Sequence, residues 1–197
     1  MKNVFEKISD KKGVISIIYI ILIFIATIVI LGFIGITNKA MSINEIQGIM
    51  DNAGVIALRR SVNETKWRVE ELEVNESMAR NEFIKLIHEY LDAGKGKLLK
   101  SYHIDRNDIR IYPPNHPRIR SLGISSNIKG PRDQYFLEAT MTATFPVESI
   151  VDLVSYHAVS FFDFLNTNDY ATVMVSGRNE DGEMEVIVRT VSRLVLR

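Results

Sequence analysis

The side chains able to do metal or acid–base chemistry are few and scattered. Four histidines stand at His88, His103, His116 and His157. None forms a metal-binding pair on one helix face, and no His-Glu-x-x-His run occurs. His88 reads as solvated on a polar helix face. His157, set among apolar neighbours, reads as a partly buried histidine with its ring nitrogens satisfied. The densest set of oxygen donors is His103-Ile-Asp-Arg-Asn-Asp108. It could bind Ca²⁺, but an EF-hand loop is longer and needs a central Gly and a distal Glu. The stronger reading is a polar turn before the next strand. Cysteine is absent, which removes thiol catalysis, disulfides and cysteine-ligated metals. No phosphate-cradling glycine loop and no strand-turn-helix serine motif is found. Asn63-Glu-Thr65 and Asn75-Glu-Ser77 fit the glycosylation acceptor pattern, a short match that often arises by chance. The expectation is a protein without catalytic residues, metal, cofactor or small-molecule substrate.

The element that dominates the chain is instead Val14 to Thr37, 24 residues without a charge and rich in Ile, Val, Leu and Phe. About 20 such residues span the hydrocarbon core of a bilayer as a helix. In lipid the backbone must satisfy its own polar groups, which overrides the weak helix preference of β-branched residues. Lys2, Lys7, Lys11 and Lys12 precede the run, and Lys39 is the first cation after it. The positive-inside rule then predicts a single-pass cell-membrane protein with a cytoplasmic N-terminus and an extracytoplasmic C-terminal part. The run is long for a signal peptide and lacks a small-x-small cleavage site, so an anchor that stays in place, or is cut ahead of the span, is expected. Setting aside the leader's four lysines and two acids, the chain carries 20 basic and 22 acidic residues. Such a balance gives no nucleic-acid surface.

Helical patterning continues past the span. Ile43, Ile46, Met50, Ala53 and Ala57 recur at steps of three and four, and no proline occurs before Pro113. The spacing predicts one nearly continuous helix over 14–62, about 70 Å long. Its amphipathic part must cover either its own domain or a neighbouring subunit. Gly48 and Gly54 each weaken it by roughly 1 kcal/mol relative to Ala. Gly32 and Gly35, near the outer end of the span, are candidate sites of close helix approach. Ser61-Val-Asn-Glu64 resembles a capping box, so a second helix is expected to start there and run to about Asp92, with a stripe of Phe83, Ile84, Ile87, Tyr90 and Leu91. Trp67 and Leu72 belong to its first turns or to a separate element, and Gly94 or Gly96 would cap its end.

The period then changes to that of strands. Asp108–Tyr112 alternates, and 113–132 is loop-rich. Tyr135–Phe145 is the best strand, and Ala171–Ser176 and Glu185–Val191 flank an Asp181-Gly182 hairpin signal. Ile150–Leu165 reads as a short helix or bent strand pair. Its neighbourhood holds Tyr156, Phe161, Phe162 and Phe164, which form either core or an exposed partner-contact patch. The expected class is α+β: a transmembrane helix running into a long amphipathic helix, then a helix and an antiparallel sheet of about four strands. The expected organisation is a leader at 1–13, the span at 14–37, a helical extension at 38–62 and an extracytoplasmic domain at 63–197.

Lys11-Lys12-Gly13 followed by a long apolar helix resembles the start of a type IV pilin-like protein. The similarity is to the TadE-like pseudopilins and to small anchored proteins of Gram-positive conjugative elements. The extension from Ile46 to Arg59, the strand ending Thr144-Phe145-Pro146 and the late Ser192-Arg193 are similar to that family's pattern. The resemblance implies leader cleavage between Gly13 and Val14, self-association or association with other pilin-like or secretion-apparatus proteins, and a role in building a pilus or secretion apparatus. In that family the fifth residue after the cut is commonly Glu; here it is Ile18. A bitopic scaffold of a conjugative or type IV secretion channel, with the helix only as anchor, is the alternative.

Overall fold

A single helix, α1 (Lys11–Arg60), carries the chain from the apolar run into the body of the protein without a break. It begins three residues before the expected start and stops two before the expected end. The structure, a computed structural model, describes residues 11–63, 73–93, 99–114, 116–118, 134–147 and 171–194. The leader up to Asp10, Trp67, Leu72, Gly94, Gly96, the stretch 150–165 and the patch Tyr156, Phe161, Phe162 and Phe164 lie outside the described residues.

The second helix, α2, spans Glu76–Asp92 and starts later than the expected capping box. Ser61 does not open a helix. Its hydroxyl donates to the Ala57 carbonyl at 2.7 Å, which satisfies a carbonyl at the end of α1. The flanks of the connection then pair as an antiparallel bridge between Val62 and Val74. The cap that starts α2 is Asn75, whose side chain accepts from the Met78 amide at 3.0 Å. Of the expected apolar stripe, Phe83, Ile87 and Leu91 are buried, joined by Ala79 and Leu86, while Ile84 and Tyr90 are half-buried.

Among the described residues five antiparallel strands follow: β1 (Ser101–His103), β2 (Ile109–Tyr112), β3 (Phe136–Phe145), β4 (Ala171–Arg178) and β5 (Met184–Arg193). A 3₁₀ turn at Arg106–Asp108 links the first two. The order is β1-β3-β5-β4, and β2 also pairs with β3. β1 pairs with residues 142–144 of β3 and β2 with 136–139, so the two share one edge and the sheet is four strands wide. β1 was absent from the expected strands because three residues carry no readable alternation.

One face of the sheet meets the helices. Leu137, Ala139, Met141, Ala143 and Phe145 of β3 and Met184, Val186 and Val188 of β5 form one cluster with Ile43, Ile46, Met50, Ala53, Ala57 and Leu58 of α1 and Phe83, Leu86 and Ile87 of α2. The amphipathic face of α1 therefore covers its own domain. Period-two burial on β5 and period-3.6 burial on α1 meet at one interface.

Candidate functional site

From Ser16 to Leu31, α1 carries apolar side chains on every side and is exposed throughout. Ile17, Tyr19, Phe24, Val29 and Phe33 all expose much of their surface. A run of large apolar side chains this long, left uncovered by its own chain, is what a hydrocarbon solvent accommodates and water does not. By length and composition α1 can cross a membrane. Gly13 and Val14, the expected cleavage site, lie within the helical backbone. Gly32 is buried and Gly35 half-buried. Lys39, the first cation beyond the run, is buried as well.

Farther along, α1 approaches β5 closely. The Thr190 hydroxyl donates to the Asp51 carboxylate, and the Ser192 hydroxyl donates to the Asp51 carbonyl at 3.1 Å. A Cβ at Gly54 would sit 2.2 Å from Ser192 Oγ and 2.6 Å from Ser192 Cβ. Gly54 thus has a packing role that its cost to an isolated helix conceals. Gly48 has open space around it. Asp51 meets Thr190 and Gly54 meets Ser192, so numbers ascend together and α1 and β5 run in the same direction where they touch. The β4–β5 turn, at the start of β5, therefore lies at the end of the sheet nearer the span. The Arg193 end points away from it.

The opposite face of the sheet holds a polar network around Glu138, whose side chain is only 8% exposed. The carboxylate accepts from the Tyr112 hydroxyl at 2.7 Å and from Arg189 Nε at 2.7 Å, with Arg118 at 3.5 Å. Burial on its own pushes the Glu138 carboxyl up, but the Tyr112 hydroxyl and the two guanidiniums outweigh it and hold the group below its ordinary 4.5. A depressed acid stabilises the fold above its unfolded value and loses that contribution as pH falls through the lower folded value. Glu138→Gln is therefore expected to cost about 2 kcal/mol near neutral pH, a figure discounted for the partly exposed arginines. Its deficit against the parent should shrink as pH drops below 4.5. Thermal unfolding of the full chain in detergent at several pH values checks this; a pH-independent deficit would refute the electrostatic origin.

A second cluster joins α2 to β1. Tyr102 donates to Asp92 Oδ1 at 3.0 Å and accepts from His88 Nδ1 at 2.6 Å. Burial and the Asp92 carboxylate push the phenol up to about 12, so it stays a neutral donor. The trio acts as a clip between α2 and β1. Tyr102→Phe should cost about 1 kcal/mol, read from the urea midpoint. His88, expected to be solvated, is exposed yet bonded to Tyr102.

Other singled-out residues have local duties. Asp105 accepts from the Asn107 amide at 2.8 Å and caps the 3₁₀ turn, as a polar turn requires. Asn75, in a glycosylation-type match, is the cap of α2. His116 lies against the Tyr112 ring at 4.8 Å, and His157 lies outside the described residues. Among the described residues no group of three or more histidines and carboxylates is gathered as a metal would need. The Glu138 network was not expected. Its signal was the one charge in β3, Glu138, and an arginine, Arg189, set among the uncharged residues from Val186 to Ser192. Comparison with protein-family models, with curated proteins and with solved structures gives no match to this chain.

Proposed function

We propose that this chain is a non-enzymatic, membrane-anchored, pseudopilin-like subunit that assembles or primes a pilus or secretion apparatus. The observation that carries the reading is α1. One unbroken helix is apolar all round in its first half and is the central helix of an α+β head in its second. A separate anchor would need no such continuity, since a flexible linker tethers a head equally well. In this reading the lysines before the span hold the N-terminus in the cytoplasm and the head stands outside. The span supplies lateral packing, with Gly32 and Gly35 as points of close approach, and the head supplies specific contacts.

Intact-mass measurement of the protein from its native membrane tests the reading. Loss of residues 1–13 is expected. A mass that retains Lys11-Lys12-Gly13 would reduce the resemblance to one of architecture.

One observation favours the scaffold alternative. Ile18 stands where the family commonly has Glu, and the run from Val14 to Thr37 has no acid to replace it. Replacing the span with an unrelated apolar helix separates the two. Function survives the exchange in a scaffold and is lost in a pilin-like subunit.

A further inference from the structure

The outer face around Glu138 and the tip of the β4–β5 turn differ in charge. Arg110 and Arg193, toward the end away from the span, and Arg189 at mid-strand lie on the outer face around Glu138. Arg110 stands opposite Glu138 in register. On β5, Arg189 pairs with Thr140 and Arg193 with Phe136, one step to either side of Glu138 along the strands. Arg118 reaches the same carboxylate. Four guanidiniums thus surround one acid. Glu138 already accepts from Tyr112 and Arg189, while Arg110, which also bonds Tyr112, and Arg193 are exposed. This face has an excess of planar cationic donors suited to further carboxylates.

The β4–β5 turn, at the other end, follows Arg178 and carries Glu180, Asp181 and Glu183, and hydrogen bonds within it close the loop. The Asn179 amide donates to the Glu183 carbonyl at 3.0 Å, the Gly182 amide to the Asn179 carbonyl at 3.0 Å, and the Glu183 amide to Asn179 Oδ1 at 2.8 Å. Gly182 takes the left-handed conformation that the turn needs, with φ of 79°. Within it Glu183 pairs with Lys100. Glu180 and Asp181 at the tip are exposed.

We propose that the Glu180-Asp181 tip of one copy docks on the Arg110–Arg193 face of a second copy. The contact rests on the self-association in the reading above. It is head-to-tail, so it leaves an acidic tip and a basic face free at the two ends and can propagate as an open row. Because β5 has ten residues at about 3.3 Å each, successive heads are offset by about one sheet length, near 33 Å. Since α1 runs along β5, that offset lies along the anchor. Copies standing level in one flat bilayer would bring like ends together, so the contact belongs to copies displaced along the helix axis.

The chain's lack of cysteine makes the test clean. Full-length D181C and R193C copies, differently tagged, are purified in detergent, where no bilayer holds the two heads level, then mixed and oxidised. A mixed disulfide between them is expected. Adding E180K to the first copy, or R110E to the second, should lower its yield about tenfold, and combining the two swaps should restore it. Restoration excludes misfolding as the cause of the loss. No mixed disulfide, a yield indifferent to the swaps, or a predominance of D181C–D181C dimers would each overturn the proposal. A cut leader with no mixed disulfide would reject this contact while leaving the pilin-like reading in place.

Discussion

Gly54→Ala is expected to destabilise the head by about 3 kcal/mol, against the direction that helix propensity alone dictates. In an exposed helix the same change gains roughly 1 kcal/mol. Here the new Cβ would fall 2.6 Å from Ser192 Cβ, an atom fixed to the β5 backbone. No rotamer change removes that overlap, so α1 and β5 must separate. Separation loosens the burial of Met50, Ala53 and Ala57 and stretches the Thr190 and Ser192 hydrogen bonds to Asp51. Ser192→Gly removes both of the nearest atoms, at its own cost of a hydrogen bond and a strand side chain. The double variant should therefore lose less than the sum of the singles by about 2 kcal/mol. Thermal unfolding of the four proteins gives the coupling. A Gly54→Ala protein as stable as its parent would mean that the close approach is not maintained in solution.

Phe83→Ala should be larger, about 3–5 kcal/mol. Phe83 is fully buried in the cluster that α1, α2 and the sheet share. The small residues Ala53 and Ala57 on α1 belong to the same cluster and have no side-chain length with which to fill the space left behind. Ile84, its half-buried neighbour, should cost about 1 kcal/mol on the same truncation, because much of its surface stays in water in either state. Equal losses at the two positions would contradict the deeper burial of Phe83 on α2.

The features that could be read from the sequence are those whose signal is local and repeated. A long uncharged run needs no partner to be recognised, and α1 begins and ends within three residues of its expected bounds. β3 and β5 declared themselves through alternation, and Asp181-Gly182 through turn chemistry. The expected start of α2 lies too early because Ser61-Val-Asn-Glu64 fits the capping-box pattern, whereas Asn75, the cap that forms, has Met78 where that pattern needs Glu or Gln. Only the bridge between Val62 and Val74 decides between them. The Glu138 network was out of reach for a different reason. Glu138 and Arg189 are 51 positions apart and meet only once β3 and β5 are paired in register. Gly54 carried a partial signal, since a glycine inside a helical pattern often has a packing reason. The partner that supplies the reason, Ser192, is far away in the chain.

The shared direction of α1 and β5 has a mechanical consequence. Tension applied along the anchor acts parallel to the interface between helix and sheet. Such a load is a shear, and every contact from Ile43 to Leu58 resists it at once. A helix attached at right angles would instead peel off one turn at a time. With no break between Lys11 and Arg60, there is no slack segment to extend before the interface is loaded. The head and its anchor should therefore move as one piece when either is pulled, and give way together rather than in stages.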